Sequence, residues 1–194
     1  MAIFVCKPPL IMEETVRHHV GARREILQHL PWANDEIALG QSHYVYTADR
    51  DDLLRGKFLD AARPTAWLYV IGSSRDPHGL AEVSCANRKG PTPPRWASIH
   101  SAAAAKVLLE MIAAVEVKFP YMDYKEYYEM RILRAPSLSL FAVWLHGDED
   151  LIYPVYAAAE VTARMGRRSH MTRQQLEEAL LPLAQQRANT VDRG

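Results

Sequence analysis

The sequence predicts a single α+β domain in which a mainly antiparallel sheet of about five to seven strands packs against a long buried helix. Residues 66–86 predict a hairpin and residues 127–156 a three-stranded meander, because β-branched and aromatic runs alternate there with turn residues. Residues 98–118 carry apolar side chains most of the way round a helical wheel, which is typical of a helix buried on more than one side. We expect one domain over residues 1–188, since a chain of 194 residues can fill one core.

The N-terminal third predicts two short strands and two helices. Apolar residues at helical spacing predict an N-terminal helix over residues 13–30, which Pro31 ends. Asp49 is suited to cap a second, shorter helix, which Gly56 closes. The strands are predicted over residues 2–6 and 43–47.

The middle of the chain predicts the hairpin, a proline-rich connection and the long helix. Residues 87–95 contain three prolines and predict a surface loop without regular structure. Ser98 or Ser101 can cap the helix that follows. Its most apolar face is predicted to carry Ala104, Leu108, Met111, Ile112 and Val115.

The meander is predicted to hold a central strand, residues 138–146, that is apolar on both faces and needs a layer on each side. Its first strand alternates between apolar and charged residues, which indicates one face partly in water. Pro154 cannot donate a ladder hydrogen bond, so we expect the third strand to lie at an edge or to end there.

The C-terminal part predicts two helices. Residues 157–165 form a short helix that Gly166 ends, and Thr172 with Gln175 predicts a capping box for a helix over residues 173–188. Pro182 is expected to kink or interrupt that helix. Residues 189–194 are predicted to be a flexible tail.

Composition excludes several broad classes of protein. The 23 basic and 23 acidic residues give a formal net charge of zero, so no overall field favours nucleic acid or an anionic membrane. Cys6 and Cys85 are too few for a disulfide framework. No signal peptide or apolar membrane span is evident. We therefore expect a cytoplasmic protein without a cofactor.

Two groups of potential metal ligands are both predicted to be solvated surface rather than metal sites. On the N-terminal helix, two Glu-x-x-x-His pairs lie roughly 16 Å apart along the axis, too far for one ion. The turn after the central strand could bind a cation through carboxylates, but it lacks the ligand spacing of a calcium loop. The first group is Glu14, His18, Glu25 and His29, and the second is His146, Asp148, Glu149 and Asp150.

One alternative function is a small cysteine-dependent hydrolase or transferase. Cys85 follows a predicted strand, and His100 lies near the start of the long helix, fifteen residues later. The proline-rich loop between them could bring thiol and imidazole together as nucleophile and base.

A second alternative is an anion-binding or nucleic-acid-binding regulator. Several guanidinium groups near a helix N-terminus could hold a phosphate. The arginines cluster around the link between the last two helices, at Arg164, Arg167, Arg168 and Arg173.

The leading hypothesis is a non-enzymatic domain that binds another protein, as an adaptor, an accessory subunit or a neutralising partner. The central strand and the long helix each need apolar cover on two sides, and one small domain does not supply all of it. We therefore expect a protein partner or a homo-oligomer, and neither a membrane nor nucleic acid as partner.

Overall fold

A computed structural model describes residues 2–22, 38–73, 75–85, 94–118, 127–166 and 168–191. Within these ranges, nine strands form a mixed, mostly antiparallel sheet, accompanied by five helices that include an N-terminal and a C-terminal one. The predicted α+β class with a mainly antiparallel sheet is confirmed. The strands are β1 Ala2–Phe4, β2 Leu39–Thr47, β3 Arg63–Gly72, β4 Pro77–Ser84, β5 Arg95–Ser101, β6 Tyr127–Ala135, β7 Leu140–His146, β8 Leu151–Tyr156 and β9 Met171–Thr172. The helices are α1 Leu10–Ala22, α2 Arg50–Leu54, α3 Ala102–Lys118, α4 Ala159–Met165 and α5 Arg173–Val191.

The chain divides into two compact units. The first unit comprises Val5–Val45 and Thr65–Glu110, and the second comprises Met1–Phe4, Tyr46–Pro64 and Met111–Gly194. The single domain over residues 1–188 stays a prediction. Among the described residues, no helix is both long and apolar enough to cross a membrane.

In the first unit, the predicted hairpin is present as β3 and β4, and α1 covers one of its faces. The α1 residues Val16 and Val20 are fully buried there. Their neighbours in the same cluster are strand residues that alternate along β3 and β4, namely Trp67, Tyr69, Ile71, Ala81 and Val83. The helix begins at Leu10, earlier than predicted, and residues 23–37, which include its predicted end, lie outside the described residues.

The segment before α3 differs from its prediction. Residues 95–101 form β5, an antiparallel partner of β4, where the sequence predicted the end of a loop and the start of a helix. Trp96 and Ile99 explain this, because both pack against the cluster beneath α1. The helix starts at Ala102 instead, and the hydroxyl of Ser101 accepts a hydrogen bond from the backbone N–H of Ala104 at 3.3 Å. Residues 87–93 of the proline-rich loop lie outside the described residues.

Helix α3 packs on the sheet with one side only, which corrects the prediction that it is buried on several sides. Leu108 and Ile112 are buried as predicted, whereas Val107 is 47% and Val117 68% exposed. Alanines make up much of the outer side. Exposing an alanine to water costs little free energy, because its apolar surface area is small. The buried residues of α3 are Ala105, Leu108, Leu109, Ile112 and Val115.

In the second unit, β6, β7 and β8 form the predicted antiparallel meander, and β1 pairs in parallel with β6. The central strand β7 begins at Leu140, two residues later than predicted, because Pro136–Leu138 forms a 3-10 turn. Both of its faces are largely buried, as predicted. Strand β9 pairs only with Leu151 and Ile152, so Pro154 lies beyond the paired edge, where its missing N–H is tolerated.

Helices α4 and α5 cover one face of the meander. Residues of both helices join Leu140, Ala142 and Trp144 of β7 in one buried cluster. The predicted capping box is present, since the N–H of Thr172 donates to Gln175 Oε1 at 3.2 Å and the N–H of Gln175 to Thr172 Oγ1 at 3.4 Å. This face of β7 is therefore covered within the chain.

Helix α5 runs through Pro182 without interruption. Proline has no N–H, so the carbonyl of Glu178, four residues earlier, lacks its usual helical donor. The guanidinium of Arg164 in α4 donates to that carbonyl at 2.9 Å. The helix continues to Val191, and residues 192–194 of the predicted tail lie outside the described residues.

A polar cleft as the candidate functional site

A polar cleft of about 430 Å³ lies within the second unit, at the end of the meander. It is bordered by β6, the end of β7 and the turn into β8, together with the segment after α2 and the first residue of α5. Its lining combines guanidinium, carboxylate and imidazole groups with few apolar ones. The lining residues are Leu59, Asp60, Ala62, Arg131, Trp144, His146, Gly147, Asp148, Asp150 and Arg173.

The carboxylate of Asp150 holds two aromatic side chains of the cleft. Its Oδ1 accepts a hydrogen bond from Nε1 of Trp144 at 2.8 Å and another from Nδ1 of His146 at 2.9 Å. An ionised carboxylate can only accept hydrogen bonds, so Nδ1 of the imidazole carries the proton. In a neutral ring Nε2 is then the basic nitrogen, and no described residue bonds to it.

The local sequence explains this arrangement. Trp144 and His146 are two residues apart on β7, so their side chains share one face of the strand. Gly147 then begins the turn that brings Asp150 back to them. A Cβ on Gly147 would lie 2.9 Å from the ring of Tyr128, so a residue with a side chain would push the turn away from β6.

Arg131 places a cation beside these groups. It is the register partner of Trp144 on β6, and its guanidinium carbon lies 4.9 Å from the centre of the Trp144 ring and 4.3 Å from that of Tyr46. One of its nitrogens, Nη2, forms an ion pair with Glu129. Its Nε is buried without a hydrogen-bond partner among the described residues. The guanidinium is thus held in position while keeping donor capacity.

The other charged pair of the cleft is self-contained. Arg173 donates to both carboxylate oxygens of Asp60, at 2.7 and 2.5 Å, and its Nε donates to Glu177 at 3.2 Å. The hydrogen bond from Arg173 lowers the pKa of Asp60, and the same bond raises the pKa of Arg173. Both groups therefore stay charged near neutral pH, and each satisfies the other.

Chemically, the cleft offers a fixed imidazole with an unoccupied basic nitrogen next to a guanidinium. This arrangement suits proton transfer. Among the described residues, no three histidine, cysteine or acidic side chains are grouped so that they could hold a metal ion.

The cysteine and histidine that the sequence paired are not brought together. In the register of β4 with β5, Ser84 faces Arg95 and Leu80 faces His100, so Cys85 and His100 are separated by roughly 14 Å or more along the strands. They also lie on opposite faces. Cys85 packs against the cluster beneath α1, whereas Nε2 of His100 lies 3.0 Å from the Ser98 hydroxyl and 3.5 Å from Glu82 on the other face.

The environment of Cys85 also disfavours a nucleophilic thiolate. Burial raises the pKa of its thiol, although a hydrogen bond with Tyr44 partly offsets that rise. A thiol with a raised pKa is less ionised near neutral pH, so it is a weaker nucleophile.

The predicted arginine cluster is divided among separate contacts. Arg164 bonds to the backbone of α5, Arg173 bonds to Asp60, and Arg168 is exposed. Arg167 lies outside the described residues. Of the two predicted carboxylate–imidazole pairs, Glu14 and His18 are exposed on α1, and Glu25 and His29 lie outside the described residues.

Sequence analysis singled out the acidic turn but not its use. The sequence indicated His146 and Asp150 as cation ligands or solvated groups, and it indicated only structural roles for Trp144 and Arg131, in the core and on a water-facing strand side. The available signal was a Trp-x-His alternation at the end of a buried strand with an aspartate four residues after the histidine. Arg131 could not be added without the register of β6 and β7.

No family model, curated protein or solved structure matches the chain in the three comparisons.

Proposed function

We propose that this protein is an enzyme whose active site is the polar cleft, where His146 transfers a proton to and from a small polar substrate. The supporting observation is the contact between Asp150 and Nδ1 of His146, because it leaves Nε2 as an unoccupied base on a residue that lines the cleft. Imidazole is the commonest general acid–base group in enzymes.

The neighbouring residues have distinct roles in this proposal. Asp150 is a positioning residue, since it fixes the ring and stabilises the imidazolium that forms when Nε2 accepts a proton. Trp144 in turn fixes Asp150 through its indole N–H. The guanidinium of Arg131 can donate a hydrogen bond to an oxygen on which negative charge develops.

The proposed step is a proton transfer. Nε2 of His146 takes the proton from an acidic group of the substrate or from an attacking water, and the electron pair of the broken bond stays on that group. The imidazolium then returns the proton to the group that leaves or rearranges, which restores the neutral ring.

Turnover of small amide, ester and phosphoester substrates by the 194-residue chain tests this proposal. We expect His146→Gln to lower kcat by about 10² to 10⁴-fold, the usual contribution of a general acid–base group. His100→Gln is the matched control, because that histidine lies in the first unit, and it should leave kcat unchanged. Equal activity in wild type and His146→Gln would overturn the assignment.

A second candidate is the protein-binding role, as an adaptor, an accessory subunit or a neutralising partner. Its supporting observation is the outer side of α3, where Val107 and Val117 are 47% and 68% exposed. Both faces of β7 are largely buried within the chain, so the candidate rests on the outer side of α3 and not on β7. Light scattering after size exclusion should show an assembly that Val107→Lys with Val117→Lys dissociates, and a monomer in both proteins would count against homo-oligomerisation.

A further inference from the structure

An ion pair on β6 lies directly beside His146 in the sheet. Glu129 is the register partner of His146, and Arg131 is the register partner of Trp144, in a register that is unbroken along β6. Directly opposite residues of an antiparallel pair share a face, and their Cβ atoms lie roughly 5 Å apart. The side chain of Glu129 therefore leaves the sheet on the same side as the imidazole of His146, in the neighbouring position.

Arg131 neutralises this carboxylate. Its Nη2 forms an ion pair with Glu129, and the two side chains are only 14% and 12% exposed. The guanidinium also lies between two aromatic rings, with the centres of Tyr46 and Trp144 at 4.3 and 4.9 Å from its central carbon. Charges that are largely buried are weakly screened by solvent, so Arg131 determines how strongly the charge of Glu129 acts on its neighbours.

The charge of Glu129 matters because His146 already has one carboxylate partner. Asp150 accepts a hydrogen bond from Nδ1 of the ring at 2.9 Å. A second, uncompensated carboxylate would stabilise the imidazolium further, since a nearby opposite charge favours the charged form of a group. A ring that carries protons on both nitrogens cannot accept a proton at Nε2.

The other charged groups around the imidazole are balanced or exposed to water. Asp60 and Arg173 form a bidentate pair with each other, and Asp148 is exposed. Removal of either member of the pair on β6 therefore changes the charge beside the ring by one unit, at a position with little solvent screening. The charged groups that face the ring from β6, the turn after β7, the segment after α2 and α5 are Glu129, Arg131, Asp148, Asp150, Asp60 and Arg173.

We propose that Glu129 and Arg131 are a charge-balancing pair for the polar cleft: Arg131 cancels the charge of Glu129 beside His146, so that the ring stays neutral and Nε2 stays available as a base. This inference rests on the proposed function for its catalytic meaning, because the pair then sets the pH range in which His146 accepts a proton. In this role both residues act through the imidazole, as positioning residues.

A nuclear magnetic resonance titration of the His146 ring in the 194-residue chain tests the proposal, with the ring signals assigned by their loss in His146→Gln. Glu129→Gln leaves Arg131 uncompensated, so the pH at which the ring is half protonated should fall by about half to one unit. Arg131→Met leaves the carboxylate uncompensated, so this midpoint should rise by about the same amount. The double variant should lie closer to wild type than either single variant, because both charges are removed together.

Two further variants separate charge from packing. Arg131→Lys keeps the positive charge without the planar guanidinium, so the midpoint should shift less than in Arg131→Met. Glu13→Gln is the matched control, because Glu13 is paired with Arg17 at 2.9 Å in the first unit, and the same loss of charge there should leave the midpoint unchanged.

The sign of the shifts decides the outcome. Midpoints that move in the same direction in Glu129→Gln and Arg131→Met, or that move in neither, would overturn the proposal. If Arg131→Met does not fold because its carboxylate is left buried and unpaired, Glu129→Gln still decides, since an unchanged or raised midpoint in that variant contradicts the charge balance.

The charge-balancing pair and the proposed function can fail separately, because the ring titrates whether or not the protein turns over a substrate. If the midpoints do not move while His146→Gln still abolishes turnover, only the pair is wrong. If the midpoints move with opposite signs while His146→Gln keeps full activity, the acid–base role of His146 is wrong and the pair stands. If both are right, the acid limb of kcat/KM should move with the midpoints.

Discussion

Each unit contains a histidine that sequence reasoning singled out, and the two have different surroundings. In the second unit, Trp144, His146 and Asp150 are joined by direct hydrogen bonds around one cleft. In the first unit, Cys85 and His100 lie on opposite faces of the same strands. The comparison shows that alternation along a strand predicts which side chains meet better than a short separation in sequence does. Residues two positions apart on a strand share a face.

The largest expected effect concerns the packing of the two tryptophans that lie beside histidines. Trp144→Ala should destabilise the fold by about 3 to 5 kcal/mol, because Trp144 is almost fully buried in the cluster beneath α4 and α5. Leu108→Ala, in α3, should cost about 2 to 5 kcal/mol. Trp96, which stacks on His19 in the first unit, is only half-buried, so its alanine variant should cost clearly less.

Urea denaturation of the three variants measures these differences. A midpoint for Trp144→Ala or Leu108→Ala that equals that of wild type would show that the residue is not part of a packed core. If Trp96→Ala lowers the free energy of unfolding as much as Trp144→Ala does, the two tryptophans do not differ in burial as described.

A slightly smaller effect on the free energy of unfolding is expected from the pH dependence of His43, which is buried, unlike His146 in the cleft. Burial lowers the pKa of His43 to about 4 from an ordinary 6.5, and neither ring nitrogen has a hydrogen-bond partner among the described residues. The folded state therefore keeps this ring neutral, while the unfolded chain takes up a proton below pH 6.5. The free energy of unfolding is therefore unaffected by His43 above pH 6.5. It falls by about 3 kcal/mol because of this residue as the pH drops to 4.

The measurement is the free energy of unfolding between pH 4 and 7 for wild type and His43→Leu. The variant should lose most of the slope over this interval. Burial also lowers the pKa of His170, but that residue is present in both proteins, so the difference in slope isolates His43. Identical slopes would show that the pKa of His43 is the same in the folded and the unfolded chain, which would contradict the lowering by burial.

The tautomer of His146 tests the carboxylate contact directly. A hydrogen bond to a charged acceptor contributes about 1.5 to 3 kcal/mol, so Asp150 should hold the ring in the Nδ1–H form by a factor of about ten or more. In Asp150→Ala the ring should become a mixture of tautomers. Nitrogen-15 spectra at a pH where the ring is neutral measure this ratio, with His100 as the internal reference. A wild-type ring that is mainly protonated at Nε2 would contradict the proposed base.

The smallest effect concerns the thiol of the first unit. Because burial raises the pKa of Cys85, its alkylation at neutral pH should be several-fold slower than that of the same thiol in the urea-unfolded chain. Cys6→Ser removes the other cysteine and isolates the signal. Faster labelling in the folded protein would restore the nucleophile hypothesis and weaken the contrast between the two units.

Local patterns were sufficient to predict the hairpin, the meander and the capping box, because each depends on side-chain alternation or on residues a few positions apart. Strand β5 was missed because Trp96 and Ile99 pack against α1, a contact that is distant in sequence. The outer side of α3 was misjudged because a wheel rich in alanine is apolar whether it is buried or exposed.

The cleft was harder to predict than the fold. His146 and Asp150 could be recognised as neighbours in a turn, but their hydrogen bond depends on how tightly Gly147 lets that turn pack against Tyr128. Arg131 enters only through its register with Trp144 on the adjacent strand. Only residues 136–139 connect the two strands, but the register depends on the 3-10 turn that they form, and side-chain alternation alone does not specify that turn.

The contact between Arg164 and the Glu178 carbonyl has a consequence for how the C-terminal region opens and closes. The contact lies at the surface, so water can replace the guanidinium as the donor to the Glu178 carbonyl when α4 undocks. Undocking of α4 therefore costs α5 one charge-assisted hydrogen bond, and the amide hydrogens of α5 should exchange modestly faster in Arg164→Ala. In this way α4, a helix of seven residues, lowers the frequency with which the longest helix of the described chain frays.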